Sequence, residues 1–169
     1  MTAPPVNHDT IVLERAYDAA PARVFAAFES PEARMRWGVP SAGVELVYDS
    51  ADFRVGGSDI AHCGPRGNLV YRVETRYRDI VPERRIIYSE TVSQEGYALS
   101  FALITVEFLA RERGTRLILT DQVAAFGGAS MIAGHRAGHA GALDNLAVEL
   151  RRPPEAGGNS DQTGAKPGM

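Results

Sequence analysis

The sequence predicts an α+β domain in the order strand, two short helices, six strands, long helix. Three observations predict it. Residues 68–78 alternate: Leu69, Tyr71, Val73, Thr75 and Tyr77 share one face, and Val70, Arg72, Glu74, Arg76 and Arg78 the other. That period of two marks a sheet with one buried and one wet side. Two helix-start signals, Pro21 and Ser30-Pro31-Glu32, follow the first apolar run closely. Near the C-terminus His135, His139, Leu143, Leu146 and Leu150 recur at helical spacing.

In chain order, Thr10 to Tyr17 alternates and reads as the first strand. Pro21 opens a helix carrying Val24, Phe25 and Phe28 on one face, since proline's missing N–H costs nothing at a first helical position. Ser30 caps a second helix, which ends near Trp37-Gly38. Strands are expected at Val44–Tyr48, Asp52–Cys63, Asn68–Arg78, Arg85–Val92, Ala98–Ala110 and Thr115–Val123. Gly56-Gly57 within the second of these predicts a bulge or a close backbone approach. The final helix runs from about Ser130 to Leu150. Its Gly134, Gly138 and Gly141 each cost about 1 kcal/mol against alanine. They predict that the helix either lies against other backbone or borders unfilled space. Residues 1–8 read as a flexible arm, 9–151 as the folded domain, and the Gly- and Pro-rich 152–169 as a disordered tail with almost nothing to bury.

Composition narrows the function. A chain of 169 residues with 44% hydrophobic content suits one domain with a real core. A net charge of −3 gives no electrostatic footprint for a nucleic acid. The single cysteine excludes an internal disulfide and any multi-cysteine zinc site. The polar, Pro-rich N-terminus is no secretory signal, and the longest apolar run, YALSFALITVEFLA, is interrupted by Ser100, Thr105 and Glu107. The expectation is a cytoplasmic protein without membrane insertion. No Gly-x-Gly-x-x-Gly, P-loop or Gly-x-Ser-x-Gly is present, so no cofactor is expected.

Several strings, taken in order, resemble the SRPBCC or START-like superfamily: IVLERAYDAAPARVFAAF, Arg36-Trp37, DFRVGG, RDIVPERRIIY, TVEF, GTRLILT and GHAGALDNLAVEL. The branch they are most similar to is that of the activator of heat-shock protein 90 ATPase. The resemblance implies the helix-grip fold of the birch-pollen allergens, in which a curved seven-stranded antiparallel sheet wraps around a long C-terminal helix. Two short helices lie between strands one and two. Members of this superfamily carry lipids, bind hormones, cyclise polyketides or activate a chaperone, so the fold alone leaves function open. The branch commonly carries Trp or Thr where this chain has His139.

Alternation then assigns the interior of the expected cavity. Asp59, Ala61 and Cys63 face inward with Phe53 and Val55; so do Tyr71, and Ile86, Tyr88 and Glu90, and Leu117, Leu119 and Asp121. The helix adds His135, His139 and Leu143, while Phe28, Met35, Trp37 and Met131 are candidates for the lid and far wall. An apolar pocket with a few polar groups is how small-molecule sites are usually built. The expected ligand-binding set is therefore Phe28, Trp37, Asp59, Cys63, Tyr71, Tyr88, Glu90, Asp121, Met131, His135, His139 and Leu143. Asp59, Tyr88, Glu90, Asp121 and His139 are the acid–base candidates if the protein is an enzyme. His135 and His139 stand at i and i+4, the spacing at which two imidazoles share a metal, but spacing places no third ligand, and no metal is assigned.

These readings favour a binder of a small hydrophobic molecule, a lipid or a polyketide-like aromatic, with a cyclase-, dehydratase- or hydrolase-like enzyme as the alternative. Chaperone activators of this branch usually carry another domain ahead of this one. Here the first strand starts close to the N-terminus, so a chaperone partner is not expected. An exposed edge strand would allow a homodimer.

Overall fold

The computed structural model describes residues 2–153. Strand β1 (Val6–Tyr17) is followed by helices α1 (Pro21–Glu29) and α2 (Pro31–Trp37). Strands β2 (Val44–Ser50), β3 (Ser58–Pro65), β4 (Tyr71–Val81), β5 (Arg85–Gln94), β6 (Tyr97–Ala110) and β7 (Thr115–Phe126) lead into helix α3 (Ala129–Glu149). The seven strands form one antiparallel sheet in the order β1-β7-β6-β5-β4-β3-β2, so β1 closes against the last strand while β2 is left at the far edge. This is the helix-grip architecture that the sequence predicts.

Several boundaries differ from the sequence expectation: β4 runs Tyr71–Val81 where Asn68–Arg78 was expected, β7 continues to Phe126, and two differences are larger. The first strand begins at Val6, not Thr10: Val6, Asn7 and His8 pair with Phe126, Ala125 and Ala124. Residues expected in a flexible arm are thus held by a backbone ladder, which needs no apolar side chain. At the other place, β3 begins only at Ser58. Asp52 to Gly57 form a turn instead, in which Gly57 N–H donates to the Arg54 carbonyl at 2.8 Å and Gly56 takes φ +82°. The two glycines then dock on β4, with Gly56 N–H on the Tyr77 carbonyl and Tyr77 N–H on the Gly57 carbonyl. A Cβ on Gly57 would lie 2.1 Å from the Asp52 carbonyl oxygen, so this approach needs glycine. The turn also exposes Val55, which alternation placed inside. Of the expected tail, residues 154–169 lie outside the described residues.

The core sits between the inner face of the sheet and the helices. Ile11, Ile104, Val106, Leu117, Leu119, Leu143 and Leu146 are all almost fully buried. The main contacts of α3 are with β1, β7 and α2. Tyr17 fixes the helix to the first strand by donating its hydroxyl to the Leu143 carbonyl at 2.7 Å. At the short helices, the Ser30 hydroxyl accepts from Ala33 N–H, capping α2 as its sequence position predicts. Both meanings of the α3 glycines are realised. A Cβ on Gly141 would strike Pro40 backbone at 2.7 Å, whereas one on Gly134 or Gly138 would meet open space.

Candidate functional site

The inner face of the sheet has a covered half and an open half. On β6 and β7, Ala102, Ile104, Val106, Leu119, Asp121 and Val123 are buried beneath the helices. On β3 to β5, Cys63, Tyr71, Val73, Thr75, Tyr88 and Glu90 keep part of their surface in solvent. The register puts these residues on one surface: Asp59, Thr75, Glu90 and Ala102 lie in one cross-strand row, and Tyr77, Tyr88, Ile104 and Asp121 in the next. Burial pushes the Glu90 carboxyl above the usual carboxylate range and the Tyr88 hydroxyl well above its own. Tyr88 also packs against the edge of the core, so this open half of the inner face is partly covered and partly wet.

The covered end of this surface holds a polar cluster. Asp121 on β7 is fully buried. Its Oδ2 lies 2.8 Å from Nδ1 of His135 and 3.0 Å from Nε2 of His139, while the second ring nitrogen of His135 lies 2.9 Å from the Ser100 hydroxyl. Burial on its own would raise the Asp121 pKa, but the two imidazole hydrogen bonds outweigh it and bring the carboxyl down to about 2. Burial likewise works against a charged His135, yet the hydrogen bond and charge of Asp121 leave its pKa raised. The other carboxylate oxygen, Oδ1, is buried with no partner among the described residues.

A second polar cluster lies under α2. Arg34 donates to Asp59 Oδ2 at 2.5 Å and to the Tyr77 hydroxyl at 2.9 Å, and its guanidinium stacks 4.6 Å from the Tyr48 ring centre. Tyr77 also donates to Asp59 Oδ2, and Asp52 N–H donates to Oδ1. Asp59 is therefore consumed by a buried ion pair and is no free acid. Arg34 Nε and Nη2 have no hydrogen-bond partner among the described residues.

The remaining expected residues divide. Phe28 and Trp37 pack edge-to-face on each other, Phe28 also on Phe108, and the Trp37 indole donates to the Ala27 carbonyl. They belong to the core under α1 and not to a lid. Leu143 is core, and Met131 is half-buried against it. Tyr88 and Glu90 lie with Cys63 and Tyr71 on the partly exposed inner face, and Asp121, His135 and His139 converge beside it. Sequence reasoning missed Ser100, Arg34, Tyr48 and Tyr77 as site groups. Ser100 had a legible signal, being the polar residue on the inward parity of an apolar strand. Arg34 had none, because its partner lies on a distant strand.

The Cys63 thiol is pushed up to about 11, by burial first and then by the charge of Glu90. Against its ordinary value this lowers the thiolate fraction at pH 8 by about 100-fold. Alkylation of the native protein by iodoacetamide should be slower by at least that factor than after unfolding. Its rate should also climb through pH 10 without a plateau; a plateau near pH 9 would show an ordinary thiol.

Two surface hollows lie elsewhere. One, of about 490 Å³, is on the opposite face of the sheet beside Phe101, Leu103 and Gln122; another, of about 280 Å³, lies between Phe25, Phe53 and Ile80. Among the described residues no helix is long and apolar enough to cross a membrane.

The fold and sequence have clear relatives. A structure of an uncharacterised protein from Rhizobium leguminosarum is similar at 31% identity and TM-score 0.78, covering 90% of this chain and 100% of that one. The Mll3558 protein from Rhizobium loti is similar at 37% identity and TM-score 0.75, covering 86% and 99%. Protein CV1439 from Chromobacterium violaceum is similar at 25% identity and TM-score 0.74, covering 85% and 98%. No curated protein matches the sequence. The family model described as Activator of Hsp90 ATPase homolog 1-like protein matches residues 18–151, from the end of β1 to the end of α3, and the chain belongs to that family.

Proposed function

We propose that this protein binds a small hydrophobic molecule, a lipid or an aromatic metabolite, in the recess between α3 and strands β3–β5. Proteins of this family and fold commonly bind hydrophobic ligands. One observation carries the reading for this chain: on the inner face of β3–β5, Cys63, Tyr71, Val73, Thr75, Tyr88 and Glu90 occupy adjoining cross-strand rows and are each only partly covered. Tyr71, Val73 and Cys63 extend that surface as an apolar wall. Glu90, held towards its neutral form, would donate a hydrogen bond to a carbonyl or hydroxyl on an otherwise greasy ligand. Native mass spectrometry of protein purified without organic stripping, followed by thermal-shift screening of fatty acids and polycyclic aromatics, tests this. The expected result is a retained or stabilising ligand whose effect falls at least tenfold in Tyr88→Ala. Silence across both compound classes would end the proposal.

A hydrolase reading rests on one connection. Ser100, His135 and Asp121 are linked in the order of a nucleophile, base and orienting acid. Against it, Ser100 is 1% exposed and sits mid-sheet, paired on both sides by Val92 and Ala125, with no exposed face for a substrate carbonyl. A fluorophosphonate that labelled Ser100 would favour the enzyme; an unlabelled Ser100 leaves its hydroxyl as the group that orients His135.

A further inference from the structure

We propose that Asp121, His135 and His139 form a binding site for one divalent first-row transition-metal ion of the zinc or iron(II) class. The two imidazoles sit one turn apart on α3, and β7 brings a carboxylate between them. One ligand atom from each residue lies within 4.8 Å of the other two. Ligands bound at about 2.1 Å to a common ion stand roughly 2.9–3.4 Å apart. The Asp121 oxygen is already 2.8 and 3.0 Å from the two nitrogens, and the nitrogens lie within 4.8 Å of each other, so closure asks the two imidazoles to draw together by up to about 1–2 Å.

Two further features point to an ion and not merely to a hydrogen-bonded trio. Both histidines aim at the same oxygen, Oδ2, while Oδ1 of the same carboxylate is buried with no hydrogen-bond partner among the described residues. A purely structural network would be expected to spread its donors over both oxygens, because a buried acceptor left unsatisfied is costly. The second feature is the Ser100 hydroxyl, 2.9 Å from the outward nitrogen of His135. Metal-bound histidines are characteristically held in this way through the ring nitrogen that does not touch the ion. Two imidazoles and a carboxylate suit zinc, iron(II), cobalt or nickel better than magnesium or calcium, which prefer oxygen alone. The side chain of His139 is 18% exposed, against 5% for His135 and 0% for Asp121, so the ion enters past His139. Three protein ligands leave at least one position open. The inference stands apart from the ligand proposed for the recess, and the metal alone probes it.

Untagged protein is treated with chelator, dialysed and titrated with Zn²⁺ by calorimetry and with Co²⁺ by visible absorption. The expected result is one ion per chain, a Tm that rises with Zn²⁺ and returns with EDTA, and a Co²⁺ spectrum with nitrogen–oxygen ligation. His139→Gln, at a partly exposed position, should fold with a metal-free Tm lowered by a few degrees at most and weaken Zn²⁺ binding by at least about 100-fold. Ser100→Ala keeps all three ligands and should weaken it by about tenfold. The absence of saturable one-to-one binding of either ion overturns the proposal. So does binding that persists unchanged in His139→Gln but disappears in His62→Ala, which would place the ion at the surface pair of His62 and Asp49.

Discussion

Asp59→Ala is expected to destabilise the protein by about 3–5 kcal/mol, because it strands the Arg34 guanidinium in a site where it is only 8% exposed. The loss exceeds that of a surface ion pair, which contributes at most about 1 kcal/mol. Asp59 accepts from Arg34, from Tyr77 and from Asp52 N–H, so its removal also loosens the turn that docks Gly56 and Gly57 on β4. Urea denaturation should show a lower midpoint at unchanged slope. Removing both charges, as Arg34→Met with Asp59→Leu, should recover much of the loss, since a buried ion pair replaced by apolar groups of similar size is often neutral. If the double variant were as unstable as Asp59→Ala, the stranded charge would not be the cause.

The second large effect is expected at Asp121. In chelator, Asp121→Ala should cost about 3 kcal/mol. Hydrogen bonds to a charged group contribute about 1.5–3 kcal/mol each, and two imidazoles share this carboxylate, so their contributions overlap and do not simply add. Asp121→Asn keeps the shape and one acceptor but loses the charge, and should cost about half as much. Equal stability of all three proteins in urea would show that the histidines find other partners. His135→Phe should approach the effect of Asp121→Ala, because His135 also holds the buried Ser100 hydroxyl. His139→Phe should cost less, because His139 is the more exposed of the two.

Much of the fold was legible because it is written in local periodicity. The alternation read over residues 68–78 carries into β4, which runs Tyr71–Val81, with Tyr77 buried and Arg72, Arg76 and Arg78 exposed. Pro21 and Ser30-Pro31 start the two short helices as placed. The two larger boundary differences share one cause. Val6 to His8 join β1, and Asp52 to Gly57 leave β3, through backbone hydrogen bonds to strands far along the chain. Side-chain pattern carries little information about such bonds.

The candidate site was legible residue by residue but not as an arrangement. Parity alone put Asp121, Glu90 and Tyr88 on the inner face, and helical spacing put His135 and His139 on one side of α3. Phe28 and Trp37 were expected near the ligand because they are large and apolar, yet size does not distinguish a lid from a core, and here they pack on one another.

The sequence by itself determined which face of each strand and helix turns inward, since that follows from periods of two and 3.6 residues within a single segment. Only the tertiary structure decided which inward residues meet. The seven-stranded register and the seat of α3 on β1, β7 and α2 sent Asp59 to Arg34, Asp121 to the two histidines, and left Tyr88 and Glu90 partly uncovered on the inner face. Those pairings depend on distances between segments separated by tens of residues, which chain closure and packing set and local pattern does not.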